Sequence, residues 1–233
     1  VSPRRLVLFD IDGTLLLTAG AGRRAIRTAL AEFIGDAGVF DRVRFDGKTD
    51  PQIVAELLHE AGDPDPHHGG RIAEVCARYV ALLEGELADR TAVVELMPGV
   101  LPLLERLEDE RDVVLGLLTG NLAAGAALKL RAGGIDPARF RVGAYGSDSG
   151  HRPDLPAIAA ARAEPHFGRV PGGEEVVIIG DTPADIACGR GIRARALAVA
   201  TGAYAAVELA SHAPHAVFPD LSATDAVVAA ILD

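Results

Sequence analysis

The sequence predicts an α/β protein: a Rossmann-like parallel sheet with helices on both faces and a helical block inserted directly after the first strand. Three observations predict it. Short apolar runs at residues 6–9, 113–118, 176–179 and 196–199 are rich in branched side chains and too short for helices, as buried parallel strands are. From residue 97 onward such runs alternate with helical-period stretches, the pattern of a doubly wound sheet. Between the first run and Met97-Pro98-Gly99, residues 18–92 carry helical periodicity and no clear strand. The expected division is a core of residues 1–17 and 93–233 and an inserted helical domain of residues 18–92.

The elements follow in order. Residues 6–9 form the first strand, which stops on Asp10-Ile11-Asp12-Gly13-Thr14-Leu15. Thr18-Ala19-Gly20-Ala21-Gly22 is a flexible joint. Residues 23–34 read as a helix, with Ala25, Ile26, Ala29, Leu30 and Phe33 at helical spacing and Gly35 as its stop. Residues 39–45 have no clear period and read as loop. Asp46-Gly47-Lys48-Thr49-Asp50-Pro51 turns into a second helix, with Asp50 as N-cap and Pro51 at its first position. A third helix covers about residues 70–88. In the α/β part, residues 100–107 are helical and strand 113–118 ends on Thr119-Gly120-Asn121. A helix over 122–132 stops at Gly133-Gly134. A strand over 140–145 precedes a helix over 156–163. Strand 176–179 ends on Gly180-Asp181-Thr182-Pro183, a short helix covers 184–190, and strand 196–199 leads to Thr201-Gly202.

Composition bounds the function. The 233 residues are 49% apolar with no Trp, enough for an aliphatic core. A net charge of −10 argues against nucleic acid or an anionic membrane as partner. It permits an anionic small substrate, because a metal and a few local cations reverse the field inside a cleft. Cys76 and Cys188 lie far apart, match no metal spacing, and read as reduced core residues of a reducing compartment. No segment has the basic-then-apolar shape of a signal peptide or an uncharged span of membrane length, so a soluble cytoplasmic protein is expected.

Polar residues collect at three strand ends: Asp10 and Asp12, Thr119 and Asn121, Asp181 and Asp185. In a parallel sheet these ends lie on one edge, where ligands bind. Two anions as close as Asp10 and Asp12 repel unless a cation or a shared proton intervenes. His67-His68 reads as an exposed loop, since no third ligand has suitable spacing.

These residues resemble the haloacid dehalogenase-like hydrolase superfamily, chiefly its phosphatases of the phosphoglycolate phosphatase-like branch. Asp10-Ile11-Asp12-Gly13-Thr14-Leu15 looks like the first motif, Leu118-Thr119-Gly120-Asn121 the second, and Gly180-Asp181-Thr182-Pro183-Ala184-Asp185 the fourth. Residues 18–92 sit where the superfamily carries a small helical cap, and Asp46-Gly47-Lys48-Thr49-Asp50 looks like its substrate-facing loop. The third motif departs from the usual form. The superfamily commonly has a lysine there, often before proline; here Arg152 precedes Pro153. Arginine keeps the charge and adds a planar fork. The chain has only two lysines, Lys48 and Lys129, and Lys129, inside Ala127-Leu128-Lys129-Leu130, reads as a solvated or structural residue.

The resemblance implies a phosphatase acting on a small phosphorylated metabolite with Mg²⁺. Asp10 is then the nucleophile of an aspartyl-phosphate mechanism, and Asp12 protonates the leaving alkoxide and then takes a proton from the attacking water. The implied metal ligands are the Asp10 carboxylate, the backbone carbonyl of Asp12 and the Asp181 carboxylate. Asp185 orients a metal water or Arg152. Thr119, with Gly13, Thr14, Gly120 and Asn121, is expected around the phosphate, and Lys48 at the substrate's distal anionic group. Lys48 as an imine-forming residue is the alternative. Arg23 and Arg24 either assist or are solvated. The second aspartate favours phosphoryl chemistry, since dehalogenases of this superfamily lack it. A phosphomutase uses the same residues, and a phospho-receiver or a non-catalytic phosphate-binding member are the non-enzymatic alternatives. Monomer and homodimer are both compatible with the sequence.

Overall fold

Strand β1 (Arg5–Phe9) is buried along its whole length. In the computed structural model, which describes residues 4–35, 38–89 and 91–233, it pairs in parallel with two strands. These are β4 (Val113–Thr119) on one side and β6 (Val176–Gly180) on the other. Residues 1–3 of the expected core, and residues 36–37 and 90 of the expected inserted domain, lie outside the described residues. Strand β5 (Val142–Tyr145) pairs with β4, while β7 (Arg195–Val199) and β8 (Ala216–Phe218) extend the sheet beyond β6. The order is β5-β4-β1-β6-β7-β8 and every neighbouring pair is parallel.

Successive side chains on a strand point to opposite faces, and β1 shows this. Val7 and Phe9 pack with Leu115, Leu117, Val177 and Ile179 against α4 (Val100–Glu108), α5 (Ala123–Ala132) and α9 (Thr224–Leu232). Leu6 and Leu8 pack on the other face with Leu118, Val176 and Ile178 against α6 (Leu155–Phe167). Short helices α7 (Pro183–Cys188) and α8 (Ala206–Ser211) connect the last strands. Both faces of the sheet are thus covered, as the near-continuous apolar strands require.

The helices between β1 and β4 have an apolar core of their own. It joins Ala25, Ile26 and Leu30 of α1 (Ala21–Ile34), Val54, Leu57 and Leu58 of α2 (Asp50–Glu60), and Val75, Tyr79 and Leu83 of α3 (Gly69–Ala88). The two crossings into and out of this block pair with each other as short antiparallel strands, β2 (Leu16–Leu17) and β3 (Glu95–Leu96). Among the described residues no helix is long and apolar enough to cross a membrane.

Three local expectations are corrected. Residues 39–45 include a 3₁₀ turn, Phe40–Arg42, because Phe40 is buried and stacks edge-on against Phe45 at 5.1 Å. The strand expected from residue 140 starts at Val142; Phe140 turns its ring onto Phe9 instead. Helix α2 is capped by Thr49, whose hydroxyl accepts from the Gln52 amide, so Asp50 is free for another partner.

Candidate active site

β1, β4 and β6 are adjacent, so their carboxyl ends bring Asp10, Thr119 and Asp181 to one edge of the sheet. The Asp10 amide donates to Ile179 O at 2.9 Å, which fixes the chain as it leaves β1. One carboxylate oxygen each of Asp10, Asp181 and Asp185 lie within 4.8 Å of one another, all three residues buried. Arg152, in the 3₁₀ turn before α6, is also buried. Its Nη2 lies 3.3 Å from Asp10 Oδ1 and pairs with Asp185 Oδ1. The other Asp185 oxygen accepts from the Thr182 amide at 3.0 Å and hydroxyl at 2.6 Å, a capping box that starts α7. Asp185 therefore has both oxygens committed to Arg152 and Thr182.

The cluster is short of positive charge. Burial pushes the Asp10 carboxyl up to about 6; Arg152 opposes this, and Asp185 and Asp12 add to it. Burial, then Asp185 and Asp10, push Asp181 up to about 8. Burial works against the Arg152 charge, but Asp185 and Asp10 outweigh it and hold the guanidinium protonated. Burial also pushes the neighbouring Cys188 thiol up to about 12, which removes it as a nucleophile.

Gly13 and Thr14, expected at the phosphate, have a different task. The Thr14 hydroxyl donates to Asp181 Oδ1 at 3.1 Å. Gly13 has φ +80°, and a Cβ there would overlap the Asp181 carboxylate. Gly202, after β7, presses on Asp181 from another side, and the Thr201 hydroxyl donates to Gly13 O. Thr201 and Gly202 were not among the expected site residues. Their position at the end of the next parallel strand was the available signal.

Of the two readings of Lys129, solvated or structural, the structure takes the second and puts the residue in the site: it is buried, and Nζ donates to both oxygens of Asp12, at 2.6 and 2.8 Å, and to Asn121 Oδ1 at 2.7 Å. Asn121 Nδ2 donates to Asp12 Oδ2 at 2.7 Å and to Thr119 Oγ1 at 2.8 Å. The Asn121 side chain, expected on substrate, is thus taken up by these neighbours. Thr119 Oγ1 also accepts from the Asn121 amide at 3.3 Å, so its own proton remains for an acceptor in the cleft. The Asp12 carboxylate is not part of the metal-capable group found among the described residues.

The helical block closes the site. A cleft of about 320 Å³ is lined by Asp10, Asp12, Thr119, Arg152 and Asp181 from the sheet side and by Arg23, Lys48, Asp50 and Tyr79 from the block. The two sides meet through main chain. The Asp50 amide donates to Gly120 O, the Asp50 carboxylate accepts from the Leu122 amide at the start of α5, and the Thr49 hydroxyl donates to Gly150 O, each at 2.8 Å. A Cβ at Gly120 would overlap the Lys48 carbonyl, so glycine there serves this close approach. Burial raises the Asp50 carboxyl to about 6, against the pull of Lys129 and the Leu122 amide. The Lys48 ammonium lines the cleft but pairs with Glu56. Arg23 lies over the Phe40 and Phe45 rings at 4.9 and 4.8 Å, whereas Arg24 pairs with Glu86. His68 caps α3 by accepting from the Arg71 amide.

No curated protein matches the chain. Among solved structures, a hydrolase from Pseudomonas syringae superposes with a TM-score of 0.71 at 19% identity, covering 99% of this chain and all of that one. CbbY from Rhodobacter sphaeroides, solved in complex with phosphate, gives 0.70 at 19% identity over 94% and 95% of the two chains. A predicted phosphoglycolate phosphatase from Haemophilus somnus 129PT gives 0.68 at 19% identity over 98% and 99%. At these identities the structures are similar in fold. The profile of the family described as haloacid dehalogenase-like hydrolase matches residues 7–199. A match that runs from β1 through β7 takes in all three polar strand ends, and the chain belongs to the haloacid dehalogenase-like hydrolase family.

Proposed function

We propose that the protein is a Mg²⁺-dependent phosphatase of a small phosphorylated metabolite, working through an aspartyl-phosphate on Asp10. Residues 18–92 act as the cap and residues 1–17 and 93–233 as the core. The observation that carries this reading is the gathering of Asp10 and Asp181, at adjacent strand ends, and Asp185, in the first turn of α7, around buried Arg152, with Asp12 and Thr119 facing the same cleft.

The donors fit a divalent cation. They are all oxygen and buried, which suits a hard ion, and burial, reinforced by the neighbouring carboxylates, raises the pKa of Asp10 and Asp181. Asp10 and Asp181 would hold it, with the main-chain carbonyl of Asp12, because Asp185 is spent on Arg152 and Thr182. When bound, Mg²⁺ supplies positive charge to the oxygens around phosphorus. An Asp10 oxygen attacks phosphorus and the bond to the leaving oxygen breaks, while Asp12 gives that oxygen a proton. Water then attacks the phosphorus of the aspartyl-phosphate and passes a proton to Asp12, releasing inorganic phosphate and restoring Asp10. Arg152 and the free Thr119 proton face the remaining phosphoryl oxygens.

The reading extends to a soluble cytoplasmic enzyme, monomer or homodimer, whose charge of −10 favours a small-molecule partner over nucleic acid or membrane. The test is a panel of phosphorylated metabolites with and without Mg²⁺. Phosphate release is expected in the wild type and only background release in Asp10→Asn. Wild-type turnover by Asp10→Asn overturns the proposal. Isomerised sugar phosphate in place of inorganic phosphate identifies a mutase.

A further inference from the structure

The chain has twenty-one arginines and two lysines, and both lysines line the one cleft. Where a cation only faces water, this sequence uses arginine. Lys129 fills a slot beside α1 and α3: a Cβ on Gly22 would lie 3.5 Å from its Nζ and 3.6 Å from the Tyr79 hydroxyl, ordinary contact distances.

We propose that Lys129 is a positioning residue that fixes the orientation of the Asp12 carboxylate toward the leaving group; this rests on the phosphatase reading above. The Lys129 ammonium has three donors, and three acceptors take them: both Asp12 oxygens and Asn121 Oδ1. Asn121 is itself held by its two bonds, to Asp12 Oδ2 and Thr119 Oγ1. The ring is closed and satisfied, the condition under which a buried polar network specifies one geometry. Asp12 needs that help. Its side chain is 41% exposed, while that of Lys129 is 6% exposed. Among the described residues the Asp12 carboxylate takes its hydrogen bonds from Lys129 and Asn121 alone. An exposed aspartate without partners samples several rotamers, and only one serves a proton transfer. Lys129 carries the rigidity of α5 to that carboxylate. With its donors spent, it has none left for the substrate.

The test is Lys129→Met, close in length and without charge, assayed with Mg²⁺ on p-nitrophenyl phosphate and on an alkyl phosphate. The expected result is a kcat on the alkyl phosphate lower by about 100-fold, the scale of a lost proton-transfer group, and a smaller loss on p-nitrophenyl phosphate, whose leaving group departs without a proton, with KM and the inhibition constant of inorganic phosphate essentially unchanged. Lys129→Ala, which opens the slot to the cleft, should regain kcat in a saturable way with methylammonium. A raised KM at unchanged kcat would make Lys129 a substrate ligand and overturn the proposal, as would wild-type kinetics. A crystal structure of Lys129→Met decides independently of turnover: Asp12 should leave Asn121, and an unmoved Asp12 carboxylate overturns the proposal. A wild type inert on every phosphate ester refutes the phosphatase reading, and the crystal structure still judges Lys129.

Discussion

Asp50→Asn should make the protein more stable at neutral pH. Asp50 is a buried carboxylate at the start of α2 that accepts from the Leu122 amide, and burial lifts it from the ordinary 3.8 to about 6. A carboxyl with a raised folded-state pKa adds stability that is complete below its unfolded value. That stability is lost as the pH climbs through the folded value. For Asp50 the window is therefore between about pH 4 and 6. At about 1.4 kcal/mol per tenfold change in proton affinity, the ionised side chain costs about 3 kcal/mol at pH 7 relative to an unfolded aspartate. Asparagine keeps the shape and the acceptor for Leu122 but carries no charge to desolvate. It also gives up the attraction to Lys129, so the expected gain is about 1–3 kcal/mol. Urea unfolding of both proteins from pH 4 to 8, at fixed metal concentration, measures the difference with the other titrating groups held in common. The two curves should lie closest near pH 4 and separate toward pH 6, with the variant above. A variant less stable at pH 8, or a gap that does not change with pH, refutes the reasoning.

Arg152→Met removes the guanidinium between Asp10 and Asp185 and should lower stability by about 3–5 kcal/mol, the scale of an abandoned buried charge. Thermal unfolding would register this as a drop of roughly 10 °C, and phosphate release should be lost with it. Mg²⁺ at about a hundred times its Kd should stabilise the wild type by about 2.7 kcal/mol. That increment should vanish in Asp181→Asn when both are unfolded in urea. Gly120→Ala drives a Cβ into the Lys48 carbonyl and should cost about 1–3 kcal/mol. Amide exchange at Asp50, whose N–H donates to Gly120 O, should quicken in that variant.

The sheet was readable because its strands are short apolar runs that stop on polar residues, and their adjacency follows from parallel topology. Asp10, Thr119, Arg152, Asp181 and Asp185 come together for that reason. Lys129 was not readable. It sits in an Ala-rich helix with no polar face, so nothing in its neighbours marks which side meets Asp12. Thr49 and Asp50 are both good caps in adjacent positions, and only the Leu122 amide, 72 residues away, decides between them. For Gly13 and Thr14 the sequence gives the neighbourhood of the site but not the direction. One turn of chain aims them at Asp181 rather than at the cleft.

The place of β1 in the middle of the sheet also orders events on the ribosome. Residues 5–9 leave the exit tunnel before both of their partners, residues 113–119 on one edge and 176–180 on the other. Until β6 arrives, an apolar strand destined for full burial has at least one open edge, the situation that invites pairing with a foreign strand. The intervening helices can meanwhile gather around Leu57, Tyr79 and Leu83 without waiting for the sheet. Asp10 and Asp181 meet only at the last of these steps, so a nascent chain stalled before residue 176 lacks the acidic cluster, however far its helical block has gathered.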